Sequence, residues 1–358
     1  MATSLITEVP IFVFSSKIGD IELSTDQEKI EIVVEDGTTK MFKTSLYAFN
    51  GKVTIVNIGE VLENYMRANG KVFTAFTIYY NTAEGHYIGS FNLNTLYCSL
   101  VLDGEPGVFG SFNFLTTLTA KRVPAHTIDT LSFLHGQENG SLLFHCVYET
   151  ESGEIGNKTF TLKTITTDDI GVSSIQVSYD TIYLRLRLQG IKLKKLLSYS
   201  VEFNNRYFTY YVVDSAPEVI FTFKNCFNVE ETVFFNAITT TKTKVNRSMV
   251  ISLGEHLFYD QSVDKTYEVQ TASLTADEAY WVEQLLMSHS VWLGTATDTS
   301  TLPQVIITDS EYEIADNDEE LNKVKFTWQF AKTFPHLQKS FRSDTNGIFT
   351  EPYNNVFD

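Results

Sequence analysis

Hydrophobic and polar residues alternate along most of this chain, which is typical of strands that bury one face. The clearest run lies between Val324 and Phe330, and Val305 to Asp309 repeats the pattern. Valine, isoleucine, threonine, tyrosine and phenylalanine dominate the apolar clusters, and these residues fit a pleated sheet. The pattern therefore predicts a mainly β protein made of several β-sandwich domains.

Two segments have the helical period instead. Thr275 to Glu278 has the form of a capping box, and an apolar stripe follows at helical spacing as far as Leu286. Asn57 is placed to cap another helix, in which Ile58 to Tyr65 present one apolar face. We expect a single short helix in the N-terminal domain and another in the C-terminal domain.

Turn signals and breakers divide the chain. Asp36-Gly37 and Asn50-Gly51 are dipeptides that favour tight hairpin turns. A length of 358 residues is enough for two or three domains. We predict an N-terminal β-sandwich domain with one helix at 1–103, a middle β-sandwich domain at 104–217, a C-terminal β domain with one capped helix at 218–334, and a flexible arm at 335–358.

The net charge of -17 makes nucleic acid an unfavourable partner, because phosphate binding needs lysine and arginine to displace counterions. One basic run extends from Arg185 to Lys195, and its charges alternate with leucine and isoleucine. This alternation favours a strand over a nucleic-acid patch, so we predict a strand from Ile182 to Leu188 with one face in water. We interpret the threonine-rich stretch Thr239 to Lys244 as an extended edge arm.

The three cysteines, Cys98, Cys146 and Cys226, are far apart in the sequence and each lies in an apolar run. We expect buried reduced thiols, since an odd number without close spacing fits neither a disulfide framework nor a zinc site. Met1 to Phe14 lacks a basic export region, and no apolar run approaches the roughly 18 residues that cross a bilayer. The expectation is a protein that is made in the cytoplasm and has no membrane partner.

No catalytic signature stands out in the sequence. Gly107 to Ser111 comes nearest to a nucleophile elbow without matching it, and neither a phosphate-binding loop nor a dinucleotide fingerprint occurs. His126, His135 and His145 have no partner at a recognised ligand spacing, so we interpret them as structural. Enzyme activity is therefore unsupported, and we predict no catalytic, cofactor-binding or metal-ligating residue.

The densest group of carboxylates runs from Asp309 to Glu320. Asp316-Asn317-Asp318 begins like a calcium-binding loop, but Leu321 occupies the position where such a loop has glycine. We predict a solvated acidic hairpin, with a calcium site as the alternative.

Aromatic side chains leave a second function open. Trp328 lies on the apolar face of its strand and is expected in a core, whereas Trp281 falls off the helical stripe and is expected at the surface. An exposed aromatic residue fits either a subunit interface or a sugar-binding platform. A platform would require exposed tyrosines on one sandwich, and the candidates are Tyr199, Tyr207, Tyr210 and Tyr211.

Three longer blocks of sequence carry a resemblance to a known family. The first runs from Leu46 to Arg67, the second from Phe223 to Ser248, and the third from Tyr267 through the capped helix to Trp328. In these blocks the chain resembles uncharacterised tail or baseplate-type proteins, of the distal tail or tail-hub kind, from bacteriophages and prophages of gut Bacteroidetes. None of the blocks is a catalytic motif.

The resemblance implies a structural component of a bacteriophage tail (a ring, collar, distal tail or hub protein) that is located in the virion and acts by contact alone. Its C-terminal domain would be tail-tube-like. Its partners would be copies of itself in a ring and neighbouring tail or connector proteins, and edge strands would pair on assembly. Thr239 to Lys244 and the segment after Pro335 are the expected arms. The alternative is a carbohydrate- or receptor-binding module that attaches to the host surface, with a host glycan as its partner in the carbohydrate case, and a glycan-degrading enzyme is the third option.

Overall fold

The computed structural model describes residues 3–10, 12–252, 255–295, 298–315 and 321–332. It confirms the predicted fold class: the protein is mainly β, with several sheets and four α-helices in the described ranges.

The N-terminal part holds two sheets and one helix. Its elements are β1 (Ser4–Leu5), β2 (Phe12–Phe14), a 3-10 turn (Ser15–Lys17), β3 (Ile21–Ser24), β4 (Lys29–Asp36), β5 (Thr39–Tyr47), β6 (Lys52–Ile55), α1 (Ile58–Ala68), β7 (Phe73–Thr82) and β8 (Tyr87–Leu96). A five-stranded sheet has the order β2-β8-β7-β4-β5, and a three-stranded sheet has the order β1-β3-β6. Between them lies a core of aliphatic residues that includes Leu62 and Met66 of α1.

Both predicted turns are present. Gly37 has φ of 60° between β4 and β5, and Asn50 and Gly51 have φ of 51° and 73° between β5 and β6. Positive φ at both central residues is the geometry that Asn-Gly favours in a two-residue hairpin. Asn57 does occupy the N-cap position of α1, but its side chain makes no capping hydrogen bond, and its backbone N–H donates to Oδ1 of Asp20 at 2.8 Å.

The middle part pairs a five-stranded sheet with a two-stranded ribbon. Its elements are α2 (Pro106–Phe112), β9 (Ala120–Pro124), β10 (Ile128–His135), β11 (Glu138–Thr150), β12 (Ile155–Thr167), β13 (Gly171–Ser178), α3 (Tyr179–Leu188), β14 (Leu193–Phe203) and β15 (Arg206–Val213). The sheet has the order β12-β11-β14-β15-β9, and β10 pairs with β13. The ribbon packs on one face of the sheet, where the rings of Phe133 and Phe203 lie 4.8 Å apart.

The strand predicted at Ile182 to Leu188 is wrong, because these residues belong to α3. Ser178 caps this helix by accepting a hydrogen bond from the Thr181 N–H, and basic residues lie in its last turn. Buried Ile182 and Leu186 face the core at helical spacing, while Leu188 is exposed. The alternation of leucine with charged residues here belongs to a helix and not to a strand with one face in water.

The C-terminal part is one seven-stranded sheet and one helix. Its elements are β16 (Val219–Lys224), β17 (Glu230–Phe235), β18 (Ala237–Ser252), β19 (Glu255–Thr271), α4 (Ala276–Met287), β20 (Val291–Leu293), a 3-10 turn (Thr299–Thr301), β21 (Gln304–Glu313) and β22 (Lys323–Phe330). The strand order is β17-β16-β20-β21-β22-β19-β18. The predicted capping box is confirmed: the Glu278 N–H donates to Oγ1 of Thr275 at 3.2 Å, and the Thr275 N–H donates to Oε2 of Glu278 at 3.0 Å.

One hydrophobic cluster extends through the cores of the middle and C-terminal parts, from Phe114 to Trp328. A smaller cluster joins residues of all three parts, among them Phe14, Leu134 and Phe227. The division of the chain at 103, 217 and 334 stays a prediction.

Candidate functional site

The most unusual surface of the molecule is the hairpin of β18 and β19. These strands have 16 and 17 residues and pair from Ala237↔Thr271 to Ser252↔Glu255. On its other side β19 pairs with β22 only from Tyr267 to Gln270, as far as the described residues show. Residues 242–252 and 255–266, here called the overhang, therefore continue beyond the last described β19–β22 pair as a two-stranded ribbon about 40 Å long.

The root of the hairpin is firmly held. The Tyr267 ring stacks on Trp328 with centroids 4.2 Å apart, and Val269 is wholly buried. Glu268 accepts from Lys242 at 2.5 Å and pairs with Lys325 at 3.3 Å, so one carboxylate joins three strands. The hydrogen bond from Lys242 is the main reason that the pKa of Glu268 lies below its usual value. The direction in which the overhang leaves the sheet is thus fixed.

The described side chains of the overhang form no core. None of those in 242–251 or 262–266 is buried, and four aliphatic side chains along β18 are exposed. These are Val245, Met249, Val250 and Ile251. An isolated two-stranded hairpin is marginally stable in water, because it gains too little buried area to offset the entropy of ordering the chain. Burial of one such side chain against a partner would contribute about 1.5–3 kcal/mol.

Charge also separates the hairpin from the rest of the chain. Residues 237–271 carry four basic side chains (Lys242, Lys244, Arg247, Lys265) and four acidic ones (Glu255, Asp260, Asp264, Glu268), so their net charge is zero. The remaining residues hold all of the chain's net charge of -17. Copies of this protein repel each other through their bodies, and the hairpin is a long neutral segment that can approach another copy.

The edge strand predicted at Thr239 to Lys244 is confirmed, since these residues lie in β18 at the outer edge of the seven-stranded sheet. Its role as an assembly arm stays a prediction. The other predicted arm, 335–358, lies outside the described residues.

The histidines do find carboxylates in space, although their sequence spacing gave no sign of it. Nε2 of His145 lies 2.6 Å from Oε2 of Glu202, and Nδ1 of His126 lies 2.7 Å from Oδ1 of Asp180. Both pairs join residues more than fifty positions apart in the chain. The first pair joins the adjacent strands β11 and β14 and depends on their register, and the second joins a turn to α3 through tertiary contact, so periodicity supplies neither.

The cysteines are buried and free, as predicted. Two of them meet where the N-terminal and C-terminal parts are in contact, because the Ser99 N–H donates to the carbonyl oxygen of Cys226 at 2.9 Å and Cys98 belongs to the same apolar cluster. Burial raises the pKa of the Cys146 thiol to about 12.

Trp328 is buried as predicted, but the prediction for Trp281 is wrong. Trp281 is 6% exposed, packs 6.0 Å from the ring of Phe223, and lies 5.2 Å from Nζ of Lys121. Helix α4 is covered on a second side by the middle part of the chain, so residues beside its main stripe are buried as well. The tyrosine group divides by strand alternation, with Tyr199 and Tyr210 buried and Tyr207 and Tyr211 exposed.

Asp309, Glu311 and Glu313 are exposed on β21, as expected for a solvated acidic hairpin. The predicted calcium-loop positions 316–320 lie outside the described residues. In the described ranges, no group of three or more histidine, cysteine, aspartate or glutamate side chains is placed to hold a metal ion. Within the same ranges, no helix combines the length and the apolar character that crossing a membrane requires.

Sequence reasoning missed two buried charged groups. Arg206 is 2% exposed and contacts Glu138, and Lys121 lies 2.6 Å from Oδ2 of Asp129 with both side chains 2% exposed. Neither pair has a sequence signal, because an isolated charge in an alternating strand is usually interpreted as a solvent-facing residue.

Comparison with known proteins identifies no family. No family model and no curated protein matches the chain. Among solved structures, the calcium-binding domain CBD12 of CALX1.1 matches with 10% identity and a TM-score of 0.19, covering 57% of this chain and 79% of that one. The full extracellular region of plexin A4 matches with 8% identity and a TM-score of 0.22, covering 94% of this chain and 40% of that one. At such TM-scores neither similarity bears on the function of this chain.

Proposed function

We propose that the chain is a structural subunit of a bacteriophage tail that assembles with copies of itself through the overhang. The observation that carries this proposal is a long two-stranded ribbon that, among its described residues, has exposed aliphatic side chains, unpaired backbone edges and no buried side chain. Backbone N–H and C=O groups at a strand edge are a template for pairing with another chain. The resemblance of three sequence blocks to phage tail proteins supports the tail as the location.

Assembly through the overhang also fits the charge distribution. A subunit with a net charge of -17 needs a neutral contact if its copies are to meet, and the hairpin supplies one. The stacked root of Tyr267 and Trp328 gives every copy the same hairpin direction. A fixed direction favours a repeated head-to-tail contact, which closes into a ring when the rotation between subunits allows it.

The first test shortens the hairpin. Thr243 and Lys265 are register partners, so an Asn-Gly turn can join them in place of residues 244–264. We expect the full chain to form multi-subunit species in sedimentation velocity, and the shortened chain to stay monomeric with an unchanged circular dichroism spectrum. A full chain that is monomeric at all concentrations, or a shortened chain with the same mass distribution, contradicts the proposal.

Point substitutions provide a matched comparison. Met249 and Ile251 are 58% and 66% exposed on the overhang, and Ile155 is 64% exposed on the hairpin of β11 and β12. Met249→Asp and Ile251→Asp should abolish the multi-subunit species, because each places a charge in the contact, whereas Ile155→Asp should not.

Antibodies against the chain should label the tail of induced phage particles in electron micrographs. Labelling confined to the capsid contradicts the assignment to the tail.

A further inference from the structure

The outward face of the middle sheet carries an ordered row of hydrogen-bonding side chains. Four adjacent strands contribute one residue each, in the register Thr159↔His145↔Ser200↔Thr209. Nδ1 of His145 lies 3.0 Å from Oγ1 of Thr159, and the hydroxyl oxygens of Ser200 and Thr209 are 2.8 Å apart. The row is therefore arranged before any ligand arrives, which lowers the entropy cost of binding.

Two exposed tyrosines flank this row. Tyr207 and Tyr211 are 57% and 53% exposed and lie two positions before and after Thr209 on β15. Residues four apart on a strand share a face and are separated by about 13 Å. Tyr207 stacks on the His145 ring with centroids 6.4 Å apart and is the cross-strand partner of Glu202, whose carboxylate lies 2.6 Å from Nε2 of His145.

We propose that Tyr207, Tyr211 and the polar row between them form a binding platform for a neutral oligosaccharide. A sugar ring has an apolar face that stacks on an aromatic side chain and a rim of hydroxyl groups that donate and accept hydrogen bonds. The Cα atoms of the two tyrosines are about 13 Å apart along the strand, a span that fits an oligosaccharide stacking at both ends. The hydroxyls of Thr209 and Ser200 lie at the level between the two tyrosines, the His145 imidazole continues the same row, and the Glu202 carboxylate lies beside Tyr207, so that polar groups are available to the hydroxyls of a bound sugar.

The charge of the platform disfavours anionic ligands. Glu202 is paired with His145, and the guanidinium of Arg122, beside Tyr211, is held by both carboxylate oxygens of Glu278 at 2.9 and 2.6 Å. An anionic glycan would meet the field of a chain with a net charge of -17 and no free cation on the platform among the described residues. The body of a second copy, outside its neutral hairpin, meets the same repulsion. A neutral polyhydroxylated ligand does not.

The test uses the full chain and four neutral probes, namely maltohexaose, cellohexaose, mannohexaose and chitohexaose, with dextran sulfate as the anionic probe. We expect isothermal titration to show binding of at least one neutral probe and none of dextran sulfate. Tyr207→Ala and Tyr211→Ala should each weaken binding about tenfold, while Tyr207→Phe and Tyr211→Phe keep most of it because the ring remains. Tyr87→Ala, which removes a tyrosine that is 67% exposed on the N-terminal sheet, is the control and should bind as the unmodified chain does.

Three results would overturn the proposal. The first is that no neutral hexasaccharide binds at millimolar concentration, and the second is that binding survives both alanine substitutions. The third is that the substitutions at Tyr207 and Tyr211 change the mass distribution in sedimentation velocity, which would make this face a contact between subunits. The platform lies on a different sheet from the overhang, so either function can fail without the other.

Discussion

Arg206 and Glu138 form a two-point ion pair at the edge of the middle core: Nη2 lies 2.8 Å from Oε1, and Nη1 lies 3.0 Å from Oε2. Arg206 also donates from Nε to the carbonyl oxygen of Gly110 at 2.6 Å and from Nη2 to that of Leu134 at 2.7 Å. Two phenylalanine rings flank its guanidinium. One buried side chain thus joins α2, β10, β11 and β15.

We expect this pair to make stability depend on acid. Burial alone would raise the pKa of Glu138, but the hydrogen bond and charge of Arg206, with a further bond from Asn204, outweigh it and leave the pKa below its ordinary 4.5. A carboxyl with a depressed folded pKa stabilises the fold fully above its unfolded pKa and loses that contribution as pH falls through the folded value. Urea unfolding of Glu138→Gln should show less loss of stability below about pH 4.5 than the unmodified chain. If the free energy of unfolding falls equally steeply with decreasing pH in Glu138→Gln and in the unmodified chain, the ion pair does not have this role.

Lys121 and Asp129 should be costly to separate. Nζ of Lys121 lies 2.6 Å from Oδ2 of Asp129 and donates to the carbonyl oxygen of Thr232 at 2.8 Å, and the Tyr210 hydroxyl donates to the same carboxylate at 3.0 Å. Lys121→Met leaves a buried carboxylate without its cation, and we expect the free energy of unfolding to fall by about 3–5 kcal/mol. Adding Asp129→Asn should recover much of that loss.

The surface pair of Lys195 and Asp214 is the matched control for this experiment. Its atoms are 3.2 Å apart, but the two side chains are 38% and 80% exposed. Lys195→Met should change the free energy of unfolding by less than about 1 kcal/mol, because water screens the pair. If chemical denaturation gives Lys121→Met the same small effect, the buried pair contributes no more than a solvated one.

The outcome for individual elements shows which information the sequence carries. The Asn50-Gly51 turn and the Thr275 capping box were predictable, because their hydrogen bonds join residues at most three positions apart. Helix α3 was not predictable, because alternating leucine and arginine fit both a strand and a helix. Only the Ser178 cap favours the helix. The candidate sites are formed by residues of neighbouring strands and therefore depend on how those strands pair. The hydrophobic pattern of one strand does not show which strand lies beside it or in what register.

The unknown packing of neighbouring elements also explains why the sequence did not show which tyrosines are exposed. Alternation separates Tyr210 from Tyr207 and Tyr211, since odd and even positions of one strand face opposite sides. Which of the two faces is covered depends on the β10–β13 ribbon, which reaches the sheet from distant sequence. The length of the overhang could not be predicted either. Its alternating residues are typical of a strand that has a neighbour along each edge, so the pattern does not show where pairing with the sheet stops.

Gly59 is expected to tolerate no larger side chain. It lies in the first turn of α1, and a Cβ atom built on it would be 2.3 Å from the carbonyl oxygen of Ile18. The obstacle is backbone, so rotation of a side chain cannot relieve it. Gly59→Ala should lower the free energy of unfolding by about 1–3 kcal/mol, although alanine is the better helix former. Gly19→Ala, where a Cβ meets nothing within 4 Å, is the control, and equal effects in thermal melts would refute the close packing.

Hydrogen exchange should distinguish an isolated subunit from an assembled one at the overhang. In the isolated subunit, amides from Thr243 to Ser248 should exchange quickly, because no core supports this ribbon in the described residues, while the amide of buried Val269 at the root stays protected. If the overhang pairs with another copy, protection of the first group should rise by about tenfold or more on assembly. Amides of Leu142 to Phe144, inside the middle sheet, should not change. An overhang that is equally protected in both states would show that the ribbon is stable alone and that assembly uses another surface.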